Sequence, residues 1–188
     1  MRTVLSLLAV CALCGCEVSV SKAPVGKQRE NISNEEAEWE GLWLVRSPAC
    51  DDVDSVNVKI ADAANGVLKV SVSENMKKEL GSESFTVFLR RAGASMIVSA
   101  EVKNHETETN APVFYAWGLF KKSPRAACLW LPDQKALEPL IEAGKLPAYE
   151  PGSRGVLGEF SSSHLAQITS ETNGVLFRWK EPLLFMRP

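Results

Sequence analysis

Two histidines, a short acidic run, a serine triplet and five tryptophans are the residues of this chain with types suited to chemistry. His105 lies in the polar stretch Asn104 to Asn110, and His164 falls in the first turn of a helix-forming run. Metal ligands cluster at spacings such as His-x-x-x-His or Cys-x-x-Cys, and beyond residue 16 neither occurs. Both histidines read as surface residues, and no metal site is expected. Asp51-Asp52-Val53-Asp54 supplies oxygens, but a calcium loop also needs staggered ligands, a glycine turn and usually a bidentate Glu. A solvated acidic loop is the reading. Ser161-Ser162-Ser163 suits helix N-capping better than nucleophilic work. There is no Gly-x-Ser-x-Gly elbow, phosphate loop or His-Glu-x-x-His, and nothing pairs carboxylates such as Glu101 and Glu159. No catalytic residue and no cofactor is assigned. Trp39, Trp43, Trp117, Trp130 and Trp179, with Tyr115, either line an apolar cavity or fill a core. Core filling is the expectation from how often such residues are buried, and the alternative places a cavity near Trp43 and Trp117.

The elements that position these residues follow from the apolar spacing. From Trp39 onward the period is two, as in half-buried strands. Val56, Val58 and Ile60 alternate with Asn57 and Lys59; beyond Ala64-Asn65-Gly66, Leu68, Val70 and Val72 alternate with Lys69, Ser71 and Ser73. The Asn-Gly pair tolerates positive φ and predicts a hairpin. Residues 76–81 read as polar loop. Phe85, Val87 and Leu89 lead through Ala92-Gly93-Ala94 to Met96, Val98, Ala100 and Val102. Residues 113–120 and 126–131 are apolar on both faces, as strands are when something covers their outer side.

The cover is expected from a helix beginning at Pro132-Asp133, with Leu137, Leu140 and Ile141 on one face and its end at Gly144. Pro139 inside it predicts a kink or a shortened helix. A second short helix is expected from Ser162 to about Thr172, with Leu165 and Ile168 inward and Asn173-Gly174 as its stop. Residues 175–179 and 183–186 read as closing strands. Taking Gly41–Arg46 as the first, about eight strands follow one another, mostly through short turns. The expected fold is mainly β, an antiparallel up-and-down barrel or strongly curved sheet with two short helices late in the chain.

Ahead of this domain, Met1-Arg2-Thr3 supplies a positive charge and Val4 to Leu13 is an apolar run too short to span a bilayer. It ends in Leu13-Cys14-Gly15-Cys16, which resembles the lipobox of bacterial lipoproteins, with Cys14 standing where Ala or Ser is usual. The resemblance implies removal of residues 1–15 as a signal peptide, a thioether-linked diacylglycerol on Cys16 and acylation of the new amino group. Two or three acyl chains anchor durably where one does not. The implied location is the cell envelope, and Glu17 in place of Asp favours the outer membrane, with the domain facing the periplasm. Cys11 and Cys14 would leave with the signal, so Cys50 and Cys128 remain as an even pair in an oxidising compartment, where a disulfide is expected. The alternative is two reduced thiols acting as small apolar fillers. Residues 16–38, poor in large apolar side chains, read as the lipidated cysteine and a flexible tether, and residues 39–188 as one β-rich domain.

Gly41-Leu42-Trp43 looks like the Gly-x-Trp of lipocalins, whose Trp plugs one end of a barrel. The segments Leu129-Trp130-Leu131-Pro132-Asp133, Gly144-Lys145-Leu146-Pro147 and Gly174 to Arg187 resemble small proteobacterial envelope proteins of no assigned activity. An apolar fraction of 45% and a charged fraction of 23% are those of a folding chain. A net charge of −2 gives no basic footprint, so nucleic acid is not an expected partner. The functional expectation is a membrane-anchored, non-enzymatic envelope lipoprotein that binds an envelope protein or plays a structural part. The alternatives are a lipocalin-like carrier of an apolar ligand and a hydrolase of unrecognised type.

Overall fold

The computed structural model describes residues 19–48, 52–102, 113–150, 156–170 and 176–188. Two short strands, β1 (Val20–Ser21) and β2 (Gln28–Arg29), and a one-turn helix α1 (Glu36–Trp39) precede the main sheet. The sheet then runs through β3 (Gly41–Arg46), β4 (Val53–Asp62), β5 (Val67–Val72), β6 (Ser84–Ala92), β7 (Ser95–Val102), β8 (Phe114–Lys122) and β9 (Ala126–Trp130). Helix α2 (Glu74–Leu80) interrupts it between β5 and β6. After β9 come α3 (Gln134–Glu142), β10 (Val156–Leu157), α4 (Ser162–Thr169) and β11 (Leu183–Met186).

From β3 to β9 each barrel strand pairs antiparallel with the next. The last strand, β11, enters between β9 and β3, with Leu184 opposite both Cys128 and Arg46, and closes an eight-stranded antiparallel barrel. The period-two reading explains the wall. Trp43, Val45, Val56, Val58, Leu68, Val87 and Leu89 turn inward into one buried cluster, while Lys59 and Lys69 pair on the outside. The hairpin at Asn65-Gly66 forms as expected, with Gly66 at φ +59°. A Cβ there would stand 2.5 Å from the Glu30 carbonyl oxygen, so both conformation and space require glycine.

A second apolar cluster lies outside the barrel. Ile97, Trp117 and Leu119 are buried on the outer wall under Leu137 of α3, Leu165 and Ile168 of α4, and Phe177. This explains why β8 is apolar on both faces. Helix α3 is capped by Asp133, whose side chain accepts from the Lys135 N–H, and it continues through Pro139. Proline has no N–H to give, so one rung of the helix is lost there. Helix α4 ends at Thr169, ahead of the expected Thr172, with Ser170 already extended. Of the expected strand over residues 175–179, Phe177 forms a single bridge to Pro132.

Three expectations are corrected. The flexible tether is not what residues 19–38 form: Ser19, Val25 and Ile32 are buried, and β1 adds to β8. Two isolated aliphatic side chains and backbone pairing hold a segment whose composition alone looks soluble. The loop expected over residues 76–81 is helix α2, started by the Ser73 side chain accepting from the Met76 N–H and stopped by Gly81 at φ +64°. The acidic loop at Asp51–Asp54 gives way to strand β4 from Val53, and Asp54 accepts from the Ser73 hydroxyl at 3.1 Å.

Candidate functional site

Inside the barrel is a partly open cavity of about 210 Å³. Its lining is apolar throughout and includes Trp43, Val56, Val70, Phe85, Ala100 and Phe120. Inward residues such as Val70, Val98 and Ala100 are half-buried although they face the interior, because the interior is not filled. By mutational cavities, where each Å³ costs about 24 cal/mol, an empty space of this size is worth about 5 kcal/mol of forgone packing.

One end is closed by the chain before β3. Trp39 of α1 is buried and stacks on Phe120, ring centroids 5.8 Å apart, and its carbonyl accepts from the Trp43 Nε1–H at 3.0 Å. Two cations seal this plug from outside. The Lys122 ammonium sits 5.1 Å from the Trp39 ring centroid and pairs with Glu38 and Glu35. The Arg187 guanidinium lies 5.0 Å over Trp43 and donates to the Glu40 carbonyl. At the other end Met76 of α2 is buried against the lining.

Of the two tryptophans expected at a cavity, Trp43 is an inward side chain of its wall. Trp117 contributes from β8 as part of that wall, but its ring packs outside, edge-on to Phe160 and Phe177 at 5.8 and 6.1 Å. The inward positions of β8 are Ala116, Gly118 and Phe120. Gly118 makes room: a Cβ there would stand 2.7 Å from both Leu129 Cδ1 and the Trp130 carbonyl oxygen. Trp39, one of the aromatics the sequence offered for a cavity or a core, is brought to the lining by α1, and Met76, placed by α2, is a lining residue the sequence reading did not assign. Ser73 followed by Gly81 is a cap pattern that marks α2.

The remaining candidates lie elsewhere. His164 completes a capping box, its Nδ1 accepting from the Ser161 N–H at 3.1 Å while its own N–H donates to Ser161 Oγ at 3.2 Å. Cys128 is a half-buried free thiol on the outer side of β9. Its expected partner Cys50 lies outside the described residues, as do Cys16 and His105. Among the described residues no group of three or more His, Cys, Asp or Glu could hold a metal ion. The groups with displaced pKa values also lie outside the lining. Burial, helped by Glu101, pushes the Tyr115 hydroxyl up, and burial beside Arg29 pushes Arg90 down. The hydrogen bonds to Glu30 raise Arg91. Among the described residues that line it no side chain is titratable, so what they offer a guest is shape and apolar contact.

No known family model, curated protein or solved structure matches this chain.

Proposed function

We propose that this chain is a membrane-anchored envelope lipoprotein whose barrel takes up one small apolar molecule. The observation that carries the reading is the partly open, wholly apolar cavity. At about 210 Å³ it exceeds the roughly 150 Å³ engineered cavities that bind benzene, and falls short of the roughly 300–1,000 Å³ sites of drug-sized ligands. The guest is therefore a single ring or a short hydrocarbon chain, held without a polar anchor. Anchorage rests on the lipobox-like Leu13-Cys14-Gly15-Cys16, which makes Cys16 the acylated residue. Among the described residues no helix is long and apolar enough to cross a membrane.

Gentle purification of the delipidated chain followed by native mass spectrometry is expected to reveal a bound neutral molecule. Stripped protein should take up an apolar fluorophore of benzene-to-naphthalene size, read through the emission of Trp39 and Trp43. Ala100 lines the cavity between Val87 and Ala116, so Ala100→Phe takes up part of it and should sharply weaken uptake of a fluorophore of this size without lowering the thermal midpoint. Equal uptake by a folded A100F chain would place the binding elsewhere and overturn the reading. Intact mass of the mature chain checks the anchor separately, since Cys16 without acyl mass refutes it.

A further inference from the structure

We propose that the domain lies directly against the membrane through its Trp130–Trp179 face, with two residues, Glu17 and Val18, between Cys16 and the folded chain in place of a long tether. The inference rests on acylation of Cys16. Ser19 is fully buried, and Val20–Ser21 is held between β8 and β10. A chain covers at most about 3.6 Å per residue, so a lipid on Cys16 brings the headgroups within about 11 Å of the entry to β1. A domain on so short a lead cannot turn freely; one side must face the bilayer.

The register identifies that side. Strand β7 occupies one edge of β8 along nearly its whole length, so β1 and β9 share the other. On that edge Val20 stands opposite Ala116 and Trp130 opposite Leu119. Three positions along a strand are about 10 Å, so Trp130 adjoins the point where the chain enters the domain.

What this neighbourhood presents suits a lipid interface. The Trp130 and Trp179 rings lie 5.6 Å apart, and Trp130 Nε1–H donates to the Trp179 carbonyl. Trp179 is 42% exposed, unusual for the largest side chain. Exposed Lys180 follows it, and the ammonium of exposed Lys121 sits 5.9 Å from the Trp130 ring centroid; Glu181 is the acid of the same turn. Rings enter the headgroup layer while their N–H groups and the neighbouring ammonium groups stay at phosphate level, and lysines favour anionic lipid. The opposite wall is different. Four strands round from β9, β5 turns Lys69 and Ser71 outward beside Lys59 and Asn57 of β4, and none of these four side chains is aromatic.

The test uses the full lipidated chain in phosphatidylethanolamine–phosphatidylglycerol vesicles with brominated acyl chains, reading tryptophan quenching. Intact mass comes first: a Cys16 without acyl mass fails the anchorage reading and takes this inference with it. For acylated protein, bromine should quench the emission, and Trp179→Phe should lose the larger part of that quenching. Lys69→Trp should add emission that bromine leaves untouched. Acylated, vesicle-bound protein whose emission is not quenched overturns the inference, and so does a K69W chain whose added emission is quenched as strongly as that of Trp179. A face reserved for a partner protein would give the first of these results.

Discussion

Gly118 and Arg187 show how single positions shape the interior. Gly118 stands in an inward row between Ala116 and Phe120, where a methyl group would press on Leu129 and on the Trp130 backbone. Backbone cannot move aside as a side-chain tip can. Gly118→Ala should therefore destabilise by about 1–3 kcal/mol, the usual range for overpacking, read as a lower urea midpoint at unchanged slope. Arg187 stacks over Trp43 and holds the Glu40 carbonyl at the plugged end. Arg187→Met keeps the apolar stem and removes both contacts, and a loss of about 1 kcal/mol is expected in the same titration. An unchanged midpoint would mean the guanidinium is solvated there. Trp43 was singled out in the sequence by the Gly41-Leu42-Trp43 pattern and not by alternation, since Leu42, Leu44 and Val45 around it are also apolar. The direction of Trp117 was not legible, since every neighbour on β8 is also apolar and alternation carries no sign.

At the scale of elements, the two short helices missed in the sequence are those that close the barrel. Helix α1 has four residues, two of them acids, and is flanked by Glu35 and Glu40, so composition marks it as solvated; what fixes it is Lys122, more than 80 positions away. That Lys is 8% exposed, between carboxylates that remain about half in water. Lys122→Met should cost about 1 kcal/mol and speed hydrogen exchange in residues 36–39 ahead of the barrel strands. Unchanged exchange there would show that Trp39 alone holds the plug. Helix α2 carries a pH dependence with a definite sign. Lys77 pairs with Glu83, and that hydrogen bond lowers the Glu83 carboxyl below the ordinary range and raises the Lys77 ammonium above its own. The contribution is full between the two ranges. It is lost as pH falls through the lowered carboxyl value, and again as pH rises through the raised ammonium value. Both groups are exposed, so the effect is small: Glu83→Gln should lower the midpoint slightly at neutral pH, and the difference should vanish in acid. A difference that persists in acid would assign it to something other than the ion pair.

For the whole molecule, the order of strands was legible because alternation recurs with short turns from Gly41 to Trp130, which leaves a meander as the simplest path. Closure was not, because it depends on β11 reaching past two helices to pair with both β9 and β3, and no local signal encodes a partner more than 130 residues distant. Nor does composition separate a filled barrel from a hollow one, since the same Val, Leu and Trp residues serve either. Closure makes the cavity a fixed volume: with all eight strands hydrogen-bonded round the ring, the wall has no free edge along which to widen. A closed wall predicts a size cut-off. Along a series of alkylbenzenes, affinity should rise about fourfold per methylene, following the roughly 0.8 kcal/mol of each buried CH₂, until the volume of about 210 Å³ is full. Longer members must then leave methylenes in water or strain the wall, so affinity should level off or fall. Isothermal titration across the series, repeated with Ala100→Phe, should move the cut-off to smaller members, because the added ring takes up cavity volume. A rise that continues to long chains, or a cut-off that A100F leaves in place, would locate binding on an outer face of the barrel.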